Sequence, residues 1–213
     1  MAGGPCGQYS EQREGIVKPQ LILVGGGGHC VSCIDVIEHE GRFAIAGIVD
    51  QALAGETVLG YPVIGGDDDL GQLRAKYGHV LITVGQIKTP AVRRRLYEIV
   101  KAQGFILPTI VSPRAHVSRH ACVGEGSIVM HDALVNAQAA VGNNCIINTK
   151  ALIEHDATVE DDCHVSTGAI VNGGAIVRRG SFVGSNSVTR EGVSTAENEF
   201  IKAGTLYKGH GNG

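Results

Sequence analysis

Every sixth residue from Val111 is Val or Ile: Val111, Val117, Val123, Val129, Val135, Val141, Ile147, Ile153, Val159, Val165, Val171, Val177 and Val183. Four residues after each stands a small side chain, in the series Ala115, Ala121, Ser127, Ala133, Ala139, Cys145, Ala151, Ala157, Cys163, Ala169, Ala175, Ser181, Ser187. Neither the 3.6-residue period of a helix nor the alternation of an ordinary strand produces this pattern. A fixed short period marks a solenoid. Three hexapeptides close one triangular coil, with β-branched residues stacked inward and small residues at the tight corners. Successive coils lie about 4.8 Å apart and share backbone hydrogen bonds along the axis. Thirteen hexapeptide units between Ile110 and Ser187 make a little over four coils, and residues 108–213 are expected to form a left-handed parallel β-helix. The repeat degrades after Ser187, which reads as a capping loop.

The composition suits such a core. Thirty-one glycines stand against no Trp and four Phe, so the interior is built from small and β-branched groups. With 43% hydrophobic and 18% charged residues, disorder is not the default. A net charge of −3 and a pI near 6.3 argue against a nucleic-acid binder, which needs a concentrated basic surface. No apolar run has the length of a membrane span, and no signal peptide opens the chain. Residues 1–19 are polar and Gly-rich and read as a flexible tail.

Six cysteines are present: Cys6, Cys30, Cys33, Cys122, Cys145 and Cys163. Cys30 and Cys33 form a C-x-x-C, compatible with redox chemistry or half a zinc site. Against both roles, no second C-x-x-C exists, the pair falls in the first helix, and Cys145 and Cys163 fill small-residue slots of the repeat. A reducing, cytoplasmic location fits.

Residues 20–107 carry a different pattern. Leu21–Val24 reads as a buried strand, followed by Gly25-Gly-Gly-Gly28, His29 and a helix to about Glu40. Phe43–Val49 reads as a second strand ending at Asp50, and His79–Val84 as a third, closed by Gly85. Thr89-Pro90 opens a helix to about Gln103, with Thr as N-cap and Pro at the first helical position. Strand, glycine turn, helix, strand and acidic residue are the plan of a Rossmann-like βαβ unit. The glycines let a phosphate reach the backbone and the helix start offers free N–H groups to it. Asp50 is spaced to accept hydrogen bonds from a ribose or base. The motif is imperfect, since Cys30 takes the third glycine's place, and a packing turn without ligand explains these residues equally well.

Polar residues interrupting the repeat are Asn148, Glu154, His155, Asp156 and His164. The Asp156 carboxylate can orient the His155 imidazole and raise its basicity, making a general base; a plain surface histidine is the alternative. The stretches 147–156 (INTKALIEHD) and 163–169 (CHVSTGA) resemble the PglD/NeuD-like sugar acyltransferases, which comprise nucleotide-aminosugar N-acetyltransferases and sialic acid O-acetyltransferases. Val24-Gly-Gly-Gly-Gly-His29, the strand ending at Asp50, 61–65 (YPVIG) and Val84-Gly85 resemble them too, and the similarity spans residues 20 to 205 in the same domain order.

The resemblance implies a homotrimer that binds acetyl-CoA between neighbouring β-helices and acetylates the 4-amino group of a nucleotide-linked amino sugar, with no metal. It implies that His155 is the catalytic base, that Asp156 tunes it, and that Asn148 lines the same cleft. His164, Gly173, Ser185 and Ala203 match positions that contact acetyl-CoA. Gly27, Gly28, His29, Asp50 and Gly85 match positions that hold the nucleotide-sugar, together with Gln51, where related sequences often carry a second acidic residue. The chain end from Phe200 lacks the Gly-x-Pro-Ala-Lys tail common in hexapeptide acyltransferases, which puts CoA contacts from that tail in doubt.

Three other functions fit the same residues. A sialic-acid-type O-acetyltransferase changes only the acceptor. A metal-dependent hydratase resembling the gamma-class carbonic anhydrases would draw on His116, His120, His131, His155 and His164. A non-catalytic trimeric scaffold would leave His155 without a role.

Overall fold

The computed structural model describes residues 17–209. The expected tail lies outside them up to residue 16, as does Cys6. No helix among the described residues is long and apolar enough to cross a membrane.

The first half is an α/β unit. Strands β1 (Gln20–Val24), β2 (Ala44–Val49), β3 (Thr57–Val58), β4 (Tyr61–Gly65) and β5 (His79–Ile82) form one sheet in the order β3-β4-β2-β1-β5. All neighbours are parallel except β3 and β4. Helix α1 (Gly28–Glu40) follows the glycine turn, α2 (Leu70–Arg74) is one short piece, and α3 (Ala91–Ala102) returns to the sheet. Helix α3 starts one residue later than its sequence suggests. Pro90 is the capping residue, while Thr89 Oγ1 accepts the Ala91 N–H at 3.2 Å. Gly25 has φ +101°, and a Cβ there would sit 2.4 Å from Val84 Cγ2, so the turn out of β1 requires glycine.

The second half is a left-handed parallel β-helix. Two-residue strands pair with strands eighteen residues on, as in Leu134↔Leu152 and Val135↔Ile153, in three sheets of six, four and six strands. The inward Val/Ile column forms one apolar cluster, running from Val111 to Ile201, with Ala121, Ala133, Cys145, Cys163 and their equivalents. From Ser127 to Ser187, each small residue is preceded by a corner residue in the left-handed region. These include Asp132, Gln138, Asn144, Lys150, Asp156, Asp162 and Asn186, with Gly126, Gly168, Gly174 and Gly180 at equivalent positions. A side chain in that region costs little for Gly, Asn or Asp, which explains their recurrence there.

The capping-loop expectation after Ser187 is corrected. Val188–Thr189 pairs with Leu206–Tyr207, and Phe200–Ile201 pairs with Phe182–Val183, so coiling continues to the end of the described chain. Thr189 and Thr195 replace valine at the inward positions; both are buried. Their hydroxyls accept the backbone N–H groups of Asn172 (3.0 Å) and Arg178 (2.8 Å), so the shape of Val is kept and the extra polar group is satisfied.

One outward column decides how the halves meet. Ile110, Ile128, Ile146, His164, Phe182 and Phe200 follow one another at intervals of eighteen on one face. Helix α1 lies over its first part, where Cys30, Cys33, Ile34 and Ile37 share a buried cluster with Ile110, Ile128 and Ile146. Arg93 of α3 completes the joint. It is 1% exposed, and its guanidinium donates to Ile82 O and Val84 O on one side and to Asn144 O and Oδ1 on the other. Burial lowers its pKa to about 10, so it stays charged at neutral pH. Arg94 Nε reaches Asp162 Oδ2 at 3.0 Å, and Asp162 Oδ1 accepts from Asn144 Nδ2 at 2.9 Å.

Candidate active site

Two groups of the candidate residues form, on separate parts of the molecule. The first lies in the seam between the halves. The outward column turns polar at His164, where the cover of α1 ends, and His29 at the start of α1 faces it with ring centroids 6.4 Å apart. Gln86, just past β5, holds His164 in one tautomer: its carbonyl oxygen accepts from Nδ1 at 2.5 Å. Nε2 therefore carries a lone pair, toward which Asn148 Nδ2 donates at 3.1 Å. Asn148 Oδ1 takes the Thr149 N–H, fixing the amide's orientation. The Gln86 amide is itself anchored on Asp162 O and Gly180 O. Gly85 packs on His29, since a Cβ there would be 3.4 Å from His29 Cβ.

Both imidazoles are held neutral. Burial, with help from the Arg93 charge, lowers the His29 pKa to about 3 and that of His164 to about 4. His29 Nε2 and Gln86 Oε1 are buried without a hydrogen-bond partner among the described residues. Unsatisfied buried polar atoms are costly, and their meeting in one seam is what a ligand-binding cleft looks like before its ligand arrives.

The second group surrounds His155. Asp156 sits at a left-handed corner (φ 60°), which turns its side chain back so that Oδ2 accepts from His155 Nδ1 at 2.7 Å. That hydrogen bond, reinforced by the charges of Asp156 and Glu154, raises the His155 pKa. Nε2 is left as the free, basic nitrogen of an imidazole whose side chain is 65% exposed. Below it, Glu154 Oε2 accepts the His155 N–H and an N–H of Asn136. Above it, a Cβ on Gly173 would come within 2.9 Å of His155 Cε1 and Nε2. Gly173 thus makes room for the ring.

The remaining candidates scatter along the seam and the coil corners. Gly27 and Gly28 at the α1 N-terminus are exposed with open space above them, and no side chain caps that end. Asp50 spends one oxygen on the Gly26 N–H (2.8 Å) and the other on the Ala52 N–H (3.0 Å), so it shapes the turn at the strand ends as well as offering lone pairs. Gln51 lies over Gly66 beside it. Ser185 meets Ser166 Oγ at 3.0 Å, and Ala203 follows one coil later. His164, Gly173, Ser185 and Ala203 are therefore not gathered in one chain: His164 is in the seam, Gly173 beside His155, and the other two on another corner. Gln86, Arg93 and Asn136 were not singled out from sequence. Gln86 follows Gly85 directly, and Asn136 precedes Glu154 by eighteen residues, so the period itself could have pointed to the latter.

Cys30, Cys33, Cys145 and Cys163 behave as packing groups. Cys30 and Cys33 are fully buried and burial pushes their thiols up. Cys145 is pushed to about 12 by the same cause. Such thiols are not thiolates at neutral pH and are poor nucleophiles or metal ligands.

Residues 20–100 match the model of the PglD N-terminal domain. Among solved structures, the acetyltransferase domain of PglB from Neisseria gonorrhoeae FA1090 is 27% identical with a TM-score of 0.84, over 90% of this chain and 92% of that one. The same domain in complex with acetyl coenzyme A gives 28% identity and a TM-score of 0.83, over 91% and 95%. PerB from Caulobacter crescentus, in complex with CoA and GDP-perosamine, is 30% identical with a TM-score of 0.83, over 89% of each chain. No curated protein matches the chain.

Proposed function

Given that the chain belongs to the PglD/NeuD-like sugar acyltransferases and is an acetyl-CoA-dependent sugar N-acetyltransferase, we propose that its acceptor is the 4-amino group of a nucleotide-linked amino-deoxysugar and that His155 is the general base. The observation that carries this is the His155–Asp156 pair: a basic, exposed Nε2 whose ring is oriented by a carboxylate and seated against Gly173.

The seam supports the acceptor. Exposed Gly27 and Gly28 N–H groups at an uncapped helix start suit a diphosphate, Asp50 and Gln51 flank the place of the nucleoside, and the unpartnered His29 Nε2 supplies a neutral polar contact toward the sugar. Among the solved relatives, PerB holds GDP-perosamine, a nucleotide-linked amino sugar, together with CoA.

The amine attacks the thioester carbonyl carbon directly. His155 Nε2 takes a proton from the nitrogen as the tetrahedral intermediate forms. The C–S bond then breaks, and the same proton passes to the departing sulfur, leaving CoA and the acetamido sugar. Asp156 holds the imidazolium that exists between these two transfers. An amine is already nucleophilic, so no acyl-enzyme is required. His155 and the seam occupy different faces of one coil stack, and a homotrimer that sets one chain's seam against its neighbour's His155 brings acceptor and base together. In that assembly His164, Gly173, Ser185 and Ala203 line the groove that takes acetyl-CoA.

The test is CoA release from acetyl-CoA across UDP-, GDP- and dTDP-linked 4-amino sugars, with free sialic acid alongside. One amino sugar is expected to react, and His155→Ala to lose about 10²–10⁴-fold in kcat without a change in thermal stability. Full activity in the variant would remove His155 from the mechanism, and release only with sialic acid would move the acceptor to a hydroxyl.

A further inference from the structure

We propose that Asp35, His39 and His131 form a zinc site that joins α1 to the β-helix, separate from the acetyl-transfer chemistry. The three residues offer ligand atoms that all lie within 4.8 Å of one another. Asp35 and His39 are one turn apart on α1, and His131 comes from a coil corner ninety-six residues after Asp35. Asp35 Oδ2 is 2.7 Å from His131 Nε2, and Asp35 Oδ1 is 3.4 Å from His39 Nδ1.

A tetrahedral ion with arms of about 2.0–2.1 Å separates its ligand atoms by roughly 3.3 Å. These two distances run to different oxygens of Asp35, and His39 Nδ1 also bonds the Asp35 carbonyl oxygen at 2.8 Å, so binding requires the half-exposed Asp35 and His39 side chains to turn until one carboxylate oxygen stands about 3.3 Å from both imidazole nitrogens. His131 is the fixed member. Its side chain is 15% exposed, and its Nδ1 bonds Ser112 Oγ at 2.6 Å, leaving Nε2 directed at Asp35. An outer hydrogen bond of this kind is what orients a metal-binding imidazole and selects its ligating nitrogen. The His39 and His131 rings stand edge to face, with centroids 5.4 Å apart, so both approach the same carboxylate without stacking on each other.

Two imidazoles and one carboxylate are a zinc-type donor set, with the fourth position open to water. Nothing in the acetyl-transfer proposal uses these residues. His29 and the glycine turn lie at the other end of α1, about 9 Å from Asp35 along the helix axis at 1.5 Å per residue. The placement suggests a staple: an ion held here binds the folded joint and not the unfolded chain, and so stabilises the contact between the halves.

The experiment is a titration of Zn²⁺ alone into the full chain against a chromophoric chelator, with melting curves, for wild type, Asp35→Asn and His39→Ala. Both substituted positions are exposed, so the fold is retained, as circular dichroism will verify. One zinc per chain is expected, with affinity at least tenfold weaker in either variant. Free zinc a hundredfold above Kd should raise Tm by roughly 5–10 °C in wild type only. Zinc uptake that is unchanged in both variants would place the ion elsewhere, for instance on exposed Cys122, and overturn the proposal. So would the absence of stoichiometric binding at micromolar zinc.

Discussion

Acidification from pH 7.5 to 5.0 should weaken the joint between the two halves through His29 and His164. Their folded pKa values are lowered to about 3 and about 4, against about 6.5 for an unfolded histidine. A depressed folded pKa means that the unfolded chain binds the proton first. The stabilisation is therefore complete above about pH 6.5 and is lost as pH falls toward the folded values. At pH 5 each unfolded histidine gains about 2 kcal/mol by protonation while its folded counterpart stays neutral. The two together give about 4 kcal/mol, slightly less because His29 keeps some exposure to water. Neither ring relieves the other, since a charge on one would face its neighbour 6.4 Å away and the buried Arg93 beyond it. Urea unfolding of wild type, His29→Gln and His164→Gln at both pH values isolates the effect, because carboxylate titrations common to all three cancel in the difference. Wild type should lose about 2 kcal/mol more than either variant over this interval. Equal losses in all three would refute the idea that the seam keeps these imidazoles neutral by burial.

Two further substitutions probe the frame of the site. Gly173→Ala puts a methyl group 2.9 Å from the His155 ring, so kcat should fall about tenfold or more, as a small misplacement of a base allows, while Tm moves little. Arg93→Met removes a buried guanidinium that four acceptor contacts hold, and denaturant unfolding should show a loss on the order of 3–5 kcal/mol.

The β-helix was legible because its rule is local. Each inward position follows the last by six, so Val111 through Val183 announce themselves without knowledge of any distant contact. The same column continues through Thr189, Thr195 and Ile201, but hydroxyl-bearing threonine does not read as apolar, so the period fades in the sequence while the coil goes on. His155 and Asp156 were legible as neighbours; that Asp156 is bent back by a left-handed corner is a matter of backbone geometry. The seam was far less accessible. Periodicity specifies the inside of the coil and is silent on which of three outward faces the α/β unit covers. Gln86 meets His164 across seventy-eight residues, and Arg93 meets Asn144 across fifty-one. Nothing in the local pattern links them. The column of Ile110, Ile128 and Ile146 was the available clue, being apolar on an outer surface where solvent would favour polar groups.

The eighteen-residue coil also limits how such a chain can change in length. An insertion or deletion of one whole coil leaves every inward valine, every corner and every outward column in phase, so growth or shrinkage of the solenoid is neutral to its packing. An increment of six or twelve keeps inward residues inward but shifts every outward column to another face, and an increment that is not a multiple of six turns inward residues out. Between Glu154 and Asn172 even a whole coil is not free, because His155 depends on the absence of a side chain eighteen residues later, at Gly173. The spacing of that pair is a ruler that lineages with longer or shorter solenoids must leave intact.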